Sequence, residues 1–347
     1  MKQNIIRKTC VSRRSFLAGA SLMGLIGAGA GLGLTGCTSR RQAPEGQLEE
    51  IQFVLDYTPN TNHTGIYVAQ AKGYFKKAGL EVAVVQPPED GADALVASGK
   101  AQFGVGYQDV MASYLGSKDP LPNKAIAAIL QHNTSGIMSA KSEGIFRPKD
   151  MDHHSYATWN IATERAIVKS VVDQDGGNWS TVELVPCNTT DEVASLKAHE
   201  FDTIWVYEGW AVQNAILQKF PYNYFSFRAI NDVFDYYTPV IITNEKYLKD
   251  HGDTVSRFLK ACRQGYDYAA DHPEEAADIL CKAAPELDPE LVKLSQNYLA
   301  NQYRDKGKQW GVIDSKRWNR FYEWMNANKL TAVPLKKDCG LDTSFID

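Results

Sequence analysis

The sequence predicts an α/β protein of two lobes with a ligand cleft between them, and three observations carry that prediction. Short apolar runs alternate with helical stretches from residue 51 onward, a second series begins after a turn-rich stretch at 135–152, and a long helical tail follows residue 243. Strand–helix alternation implies mostly parallel sheets with helices on both faces. Two such units joined by crossing strands leave a groove at the carboxyl ends of the strands, where open α/β sheets bind ligands.

Taken in order, the first unit reads as a strand at 51–55, a polar turn at 58–62 and a helix at 64–77 stopped by Gly79. Strands at 80–85, 103–105 and 125–130 then alternate with helices at 92–98, closed by Gly99, and at 109–115. Apolar periodicity and glycine stops set these bounds. The second unit reads as strands at 155–158, 182–185 and 203–206 with helices at 163–174 and 191–198. A strand at 237–243 precedes a tail read as helical to residue 330, in which Trp318, Phe321, Tyr322 and Met325 share one face and are assigned to the core. Residues 51–135 and 244–347 thus form the first lobe, covered by the returning tail, and 136–243 the second.

Ahead of the lobes, Arg13-Arg14 precede Ser15-Phe16-Leu17 and a glycine-rich apolar run that closes on Leu34-Thr35-Gly36-Cys37. Residues 1–36 read as a twin-arginine lipoprotein signal and Cys37 as the acylated residue; an uncleaved membrane anchor is the alternative. Either reading places the folded part outside the cytoplasm, anchored to the cell membrane. Residues 37–50 are polar, contain Pro44 and Gly46, and read as a flexible tether. Removing the signal leaves 32 basic against 41 acidic residues, a balance that argues against nucleic acid as a partner. Cys187, Cys262, Cys281 and Cys339 have no CxxC spacing, so they read as scattered thiols or a single bridge, without a redox motif or a zinc site.

No GxGxxG after a strand, P-loop, GxSxG or HExxH occurs. His153-His154 reads as a solvated pair, and no metal site is expected. What stands out is a set of aromatic, amide and acidic residues just after strands. Asp56, Tyr57, Asn60, Asn62 and His63 follow the first strand; the carboxylate accepts N–H groups and Tyr57 offers a stacking face, while Asp56, Asn60 and Asn62 have helix capping as their alternative role. Tyr107 and Gln108, then Trp159, then Tyr207, Glu208 and Trp210, and finally Tyr236 occupy comparable positions. Aromatic faces with carboxylates suit a flat, nitrogen-rich ring. Few candidates are arginine or lysine, which disfavours an anion held by bidentate bonds.

The run Leu55-Asp56-Tyr57-Thr58-Pro59-Asn60-Thr61-Asn62-His63-Thr64-Gly65, with Ala71-Lys72-Gly73-Tyr74-Phe75 behind it, resembles the start of the NMT1/THI5-like family of periplasmic binding proteins. The similarity continues through 95–105 and 236–240 and covers most of the chain after the tether. The resemblance implies a type II periplasmic binding protein, acting as a monomer, that delivers a small planar heterocycle to an ABC permease and its ATPase subunits. The ligands it implies are thiamine pyrimidine precursors of the formylaminopyrimidine or hydroxymethylpyrimidine type, with riboflavin, sulfonates or nitrate as alternatives. It places Asp56, Tyr57, Tyr107, Tyr207 and Glu208 in the pocket, with Trp159 and Trp210 as stacking surface. The family also includes a fungal enzyme that builds the pyrimidine from its own histidine and bound pyridoxal phosphate. His63 matches that histidine, but Tyr107 stands where the enzyme has its cofactor lysine and 235–239 replace its cysteine-rich run. The chain is therefore expected to bind without catalysis and without a cofactor.

Overall fold

The computed structural model describes residues 48–346 apart from Asp90; the signal, Cys37 and most of the tether lie outside the described residues. The first unit runs β1 (Glu49–Val54), α1 (Thr64–Ala71), α2 (Tyr74–Lys77), β2 (Leu80–Val85), α3 (Gly91–Ala97), β3 (Phe103–Gly106), α4 (Gln108–Leu115) and β4 (Asn123–Ala128). Next come β5 (Ser135–Ala140), β6 (Ser155–Thr158), α5 (Ala162–Gln174), β7 (Glu183–Pro186), α6 (Glu192–Lys197), β8 (Thr203–Tyr207), α7 (Gln213–Leu217), β9 (Tyr222–Ser226) and α8 (Phe227–Ile230). The chain then returns through β10 (Val240–Asn244) to α9 (Glu245–Asp250), α10 (Gly252–Asp271), α11 (Pro273–Ala283), α12 (Pro289–Leu299) and α13 (Ser315–Ala327).

Two five-stranded sheets result, ordered β2-β1-β3-β10-β4 and β7-β6-β8-β5-β9. In each, four strands run the same way and the fourth in order is antiparallel to its neighbours. That odd strand is the one the chain reaches directly after crossing from the other sheet. The crossings at 129–134 and 235–239 lie side by side, tied by Ile129 N–H to Pro239 O at 3.0 Å and Asn133 Nδ2 to Phe234 O at 2.8 Å.

Strand alternation builds the core of the first sheet. Ile51, Phe53, Phe103 and Val105 face α1 and α10, where Phe103 stacks on Phe258 at 3.9 Å, while Val54 faces α3 and α4. Each buried side chain of this size contributes about 1.5–3 kcal/mol. Helix α13 buries Trp318, Phe321, Tyr322 and Met325, as its periodicity predicts. The tail also covers the edge of β4, through Ala125 N–H to Gly340 O at 2.7 Å and Ala128 N–H to Gly311 O at 2.9 Å. In the second sheet, Tyr156 packs with α5 residues on one face, and Met138, Ala157, Ile204 and Val206 pack with α6 and α7 residues on the other.

Four sequence expectations are corrected. The turn-rich stretch begins with β5, a central strand buried on both faces, which therefore shows no alternation. The helix at 64–77 breaks at Gly73, whose φ of 69° is left-handed. The strand at 237–243 starts only at Val240, because Tyr237 N–H bonds Gln108 Oε1 at 2.9 Å instead of a neighbouring strand. The tail is interrupted between α12 and α13, and β9 went unread. Among the described residues all four cysteines are free thiols, and no helix is long and apolar enough to cross a membrane.

Candidate functional site

Between the carboxyl ends of the two sheets lies a cavity of ≈ 500 Å³. Its first wall is the loop after β1. Asn60 caps a 3-10 turn at Thr61–His63, its side chain accepting from Asn62 N–H at 2.9 Å. The same turn delivers Asn60 N–H to His63 Nδ1 at 3.2 Å, which leaves Nε2 to donate to Asp56 Oδ1 at 2.6 Å. Tyr107, at the end of β3, donates its hydroxyl to Asp56 Oδ2. Burial alone would raise the Asp56 carboxyl, but the His63 imidazole and the hydrogen bonds from His63 and Tyr107 outweigh it and hold it below the ordinary range. Each carboxylate oxygen retains a second lone pair for a ligand donor.

The opposite wall comes from the second sheet. Trp159 follows β6; Asn188, Thr189 and Thr190 follow β7; Glu192 opens α6; and Trp205 and Tyr207 belong to β8. Beyond β8 the chain makes a π-helical turn at Glu208–Val212, which puts Gly209 and Trp210 on the cavity. Such turns recur at functional sites. Burial raises the Glu192 carboxyl above its usual range. The Trp205 indole N–H is buried without a partner among the described residues. Tyr57 and Trp159 stay 57% and 40% exposed, leaving their faces open for stacking. Among the described residues lining the cavity there are two carboxylates, Asp56 and Glu192, and no lysine or arginine.

Of the residues picked out in the sequence, Asp56, Tyr57, Asn60, Asn62, Tyr107, Trp159, Tyr207 and Trp210 come together on this cavity. Four do not line it. His63 is fully buried behind Asp56 as its partner. Gln108 spends its amide on Trp318 O at 2.9 Å and Tyr237 N–H. Tyr236 is buried against Phe321, stacked at 4.2 Å. The π turn carries Glu208 away from the cavity to the Tyr298 hydroxyl of α12. Sequence reasoning missed Asn188–Thr190, Glu192 and Trp205. The first four follow a strand just as the recognised ones do, so the strand-end rule applied to β7 would have found them.

A family model described as NMT1/THI5 like matches residues 60–276. A formylaminopyrimidine-binding protein of Halalkalibacterium halodurans is 25% identical over 310 residues, covering 87% of this chain and 92% of that protein. The 4-amino-5-hydroxymethyl-2-methylpyrimidine phosphate synthase THI11 of Saccharomyces cerevisiae is 24% identical over 296 residues, 80% of each chain. The solved alkanesulfonate-binding protein SsuA from Xanthomonas axonopodis pv. citri superposes with a TM-score of 0.65 at 9% identity, covering 86% of this chain and 99% of that one. The fold is that of the type II periplasmic binding proteins.

Proposed function

The chain belongs to the NMT1/THI5-like family, and from that premise we propose that it is the solute-binding component of an ABC importer. Its ligand is a thiamine pyrimidine precursor of the formylaminopyrimidine or hydroxymethylpyrimidine type, and lipidation at Cys37 holds it on the outer face of the cell membrane. The observation that carries this reading is the cavity's charge: among the described residues two carboxylates and no cationic side chain line it. An anion such as nitrate or a sulfonate would meet Asp56 without a compensating cation, at a cost of several kcal/mol by burial of unpaired charge. An aminopyrimidine instead donates N–H groups to Asp56 and stacks its ring on aromatic faces. The likeness to the formylaminopyrimidine-binding protein supports the same choice.

Capture then proceeds by closure about the paired crossings. A ligand touching Asp56 and Tyr107 on one side and Trp159, Glu192 and Trp210 on the other binds the closed form better than the open one, and that difference drives closure. The permease recognises the closed form. A binding role rather than a synthase's is supported by the lining: among the described residues no lysine reaches the cavity to form a Schiff base with a pyridoxal cofactor, and both His63 ring nitrogens are engaged.

The test is a calorimetric panel of formylaminopyrimidine, hydroxymethylpyrimidine, riboflavin, taurine, nitrate and pyridoxal phosphate. One-to-one binding of an aminopyrimidine, with a raised melting temperature, is expected. Binding of taurine or nitrate in preference would overturn the pyrimidine assignment, and an aldimine absorbance with pyridoxal phosphate would overturn the assignment as a transport protein.

A further inference from the structure

At the far end of the second sheet from the cleft, four side chains converge that the ligand site does not use. Glu143 closes a 3-10 turn at Lys141–Glu143 after β5, His154 immediately precedes β6, Asp202 immediately precedes β8, and His199 sits in the loop after α6. The parallel register Tyr156↔Thr203 sets the starts of β6 and β8 side by side. Glu143, His154 and Asp202 thereby bring one donor atom each within 4.8 Å of one another. We propose that these three residues hold a divalent cation of the zinc class, with His199, whose Nδ1 lies 3.6 Å from Glu143 Oε1, turning in to take the fourth position.

The spacing supports coordination better than hydrogen bonding. His154 Nδ1 lies 3.4 Å from Asp202 Oδ2, and His199 Nδ1 lies 3.6 Å from Glu143 Oε1. Both exceed ordinary N–H···O lengths. Neither pair is closed by a direct hydrogen bond, and both leave room for an ion bonded to the two partners at about 2.0–2.2 Å. Two imidazoles and two carboxylates are a borderline-soft donor set, suited to zinc and unlike the all-oxygen cages of calcium or magnesium.

The surroundings orient the ligands. Asp202 Oδ2 accepts from Ser155 N–H at 2.8 Å and Ser155 Oγ at 2.9 Å, which fixes the carboxylate plane; Oδ1 has no partner among the described residues. Outer-shell bonds of this kind accompany metal ligands. The main chain of His154 is pinned on both sides, its N–H to Met151 O at 3.0 Å and its carbonyl to Glu183 N–H at 3.0 Å. The four ligand side chains are 21–68% exposed, so a cation reaches them from solvent. The strands between this cluster and the cleft are four to five residues long, a rise of about 13–17 Å, so the two sites are separate. Sequence spacing hides the cluster, because its members are scattered from 143 to 202 and only strand register brings them together; the reading of His153-His154 as a solvated pair without a metal had no access to that register.

The test uses the full chain freed of metal with a chelator, titrated with Zn²⁺ in a calorimeter and with Co²⁺ under visible absorption. One equivalent of Zn²⁺, tetrahedral Co²⁺ bands and a raised melting temperature are expected. His154→Ala and Glu143→Gln should each weaken Zn²⁺ at least about 100-fold, with unchanged circular dichroism and unchanged pyrimidine affinity. If His154→Ala does not fold, Glu143→Gln, at a turn, decides alone. Absence of binding by the unmodified chain, or binding that survives in the folded variants, would overturn the proposal and assign any uptake to scattered surface histidines.

Discussion

At the scale of single residues, two half-buried aspartates behave in opposite ways. Asp56 is held ionised by His63 and Tyr107, so Asp56→Asn removes a charge-assisted acceptor from the cavity and forces its new amide N–H₂ against a donor. We expect ligand binding to weaken by about 1.5–3 kcal/mol in calorimetry; unchanged affinity would remove Asp56 from the ligand's partners. Because its folded pKa lies below the ordinary 3.8, its stabilising contribution is complete above that value and is lost as pH falls further. Asp109 is the converse. Burial pushes its carboxyl up to about 6 against the pull of the Asp109 and Val110 backbone N–H groups, its Oδ1 has no partner among the described residues, and Tyr236 offers Oδ2 only a 3.4 Å contact. Between pH 3.8 and about 6 the folded chain retains a proton that the unfolded chain has lost, so this group makes stability fall as pH rises through that window. Asp109→Asn should therefore stabilise the fold at neutral pH by up to about 3 kcal/mol and flatten that slope in urea titrations between pH 4 and 8. A variant that loses stability at pH 7 would show the carboxylate to be satisfied. Much of the cleft was legible residue by residue, because a side chain just after a parallel strand falls at a known end of the sheet. Glu208 marks the limit of that reading: a π turn rotates it away, and no sequence pattern announced the turn.

At the scale of elements, the cleft loop is held by a helix crossing close enough for backbones to touch. A Cβ placed on Gly65 of α1 would overlap the Tyr266 ring, and one on Gly265 of α10 would overlap the Gly65 carbonyl. Tyr266 also donates its hydroxyl to Asn62 O at 2.8 Å, tying α10 to the loop that carries Asp56. Gly265→Ala must push α1 outward, at a cost of about 1–3 kcal/mol or more. Urea unfolding should register that loss, and ligand affinity should fall with it, because α1 and the loop before it move as one piece. A stability loss with intact affinity would show that the loop is positioned without α1. Legibility divides cleanly at this scale. Helix α13 announced itself through an apolar face at 318, 321, 322 and 325, whereas β5, Ser135–Ala140, sets Ile137 and Met138 side by side among small residues and is buried on both faces. A strand of that composition has no period to read, and only its pairing with β8 and β9 makes it a strand.

At the scale of the whole molecule, the two sheets are joined by crossings that add a cluster of charged groups to the neutral hydrogen bonds between them. His132 from the first crossing bonds Asp235 from the second at 2.7 Å, and Asp235 also accepts from Asn133 N–H at 3.0 Å and from Arg317 of α13 at 2.8 Å. Arg317 further stacks over the Tyr237 ring at 4.0 Å, and Asp305 Oδ1 meets the other ring nitrogen of His132, Nε2, at 3.0 Å. Burial opposes ionisation of Asp235, but the His132 bond and the Arg317 charge outweigh it and keep its carboxyl below the usual range. Asp235 is not among the residues lining the cavity, yet Asp235→Asn leaves Arg317, 15% exposed, without its carboxylate. Breaking such a pair costs about 3–5 kcal/mol when it is buried, so urea unfolding should show a loss approaching that size. If closure turns on this clasp, ligand affinity must change as well, since the balance of open and closed forms sets the fraction competent to bind. Calorimetry on the folded variant separates the cases: affinity equal to that of the parent chain would make the clasp a static joint, and an altered affinity with an intact cavity would make it the hinge.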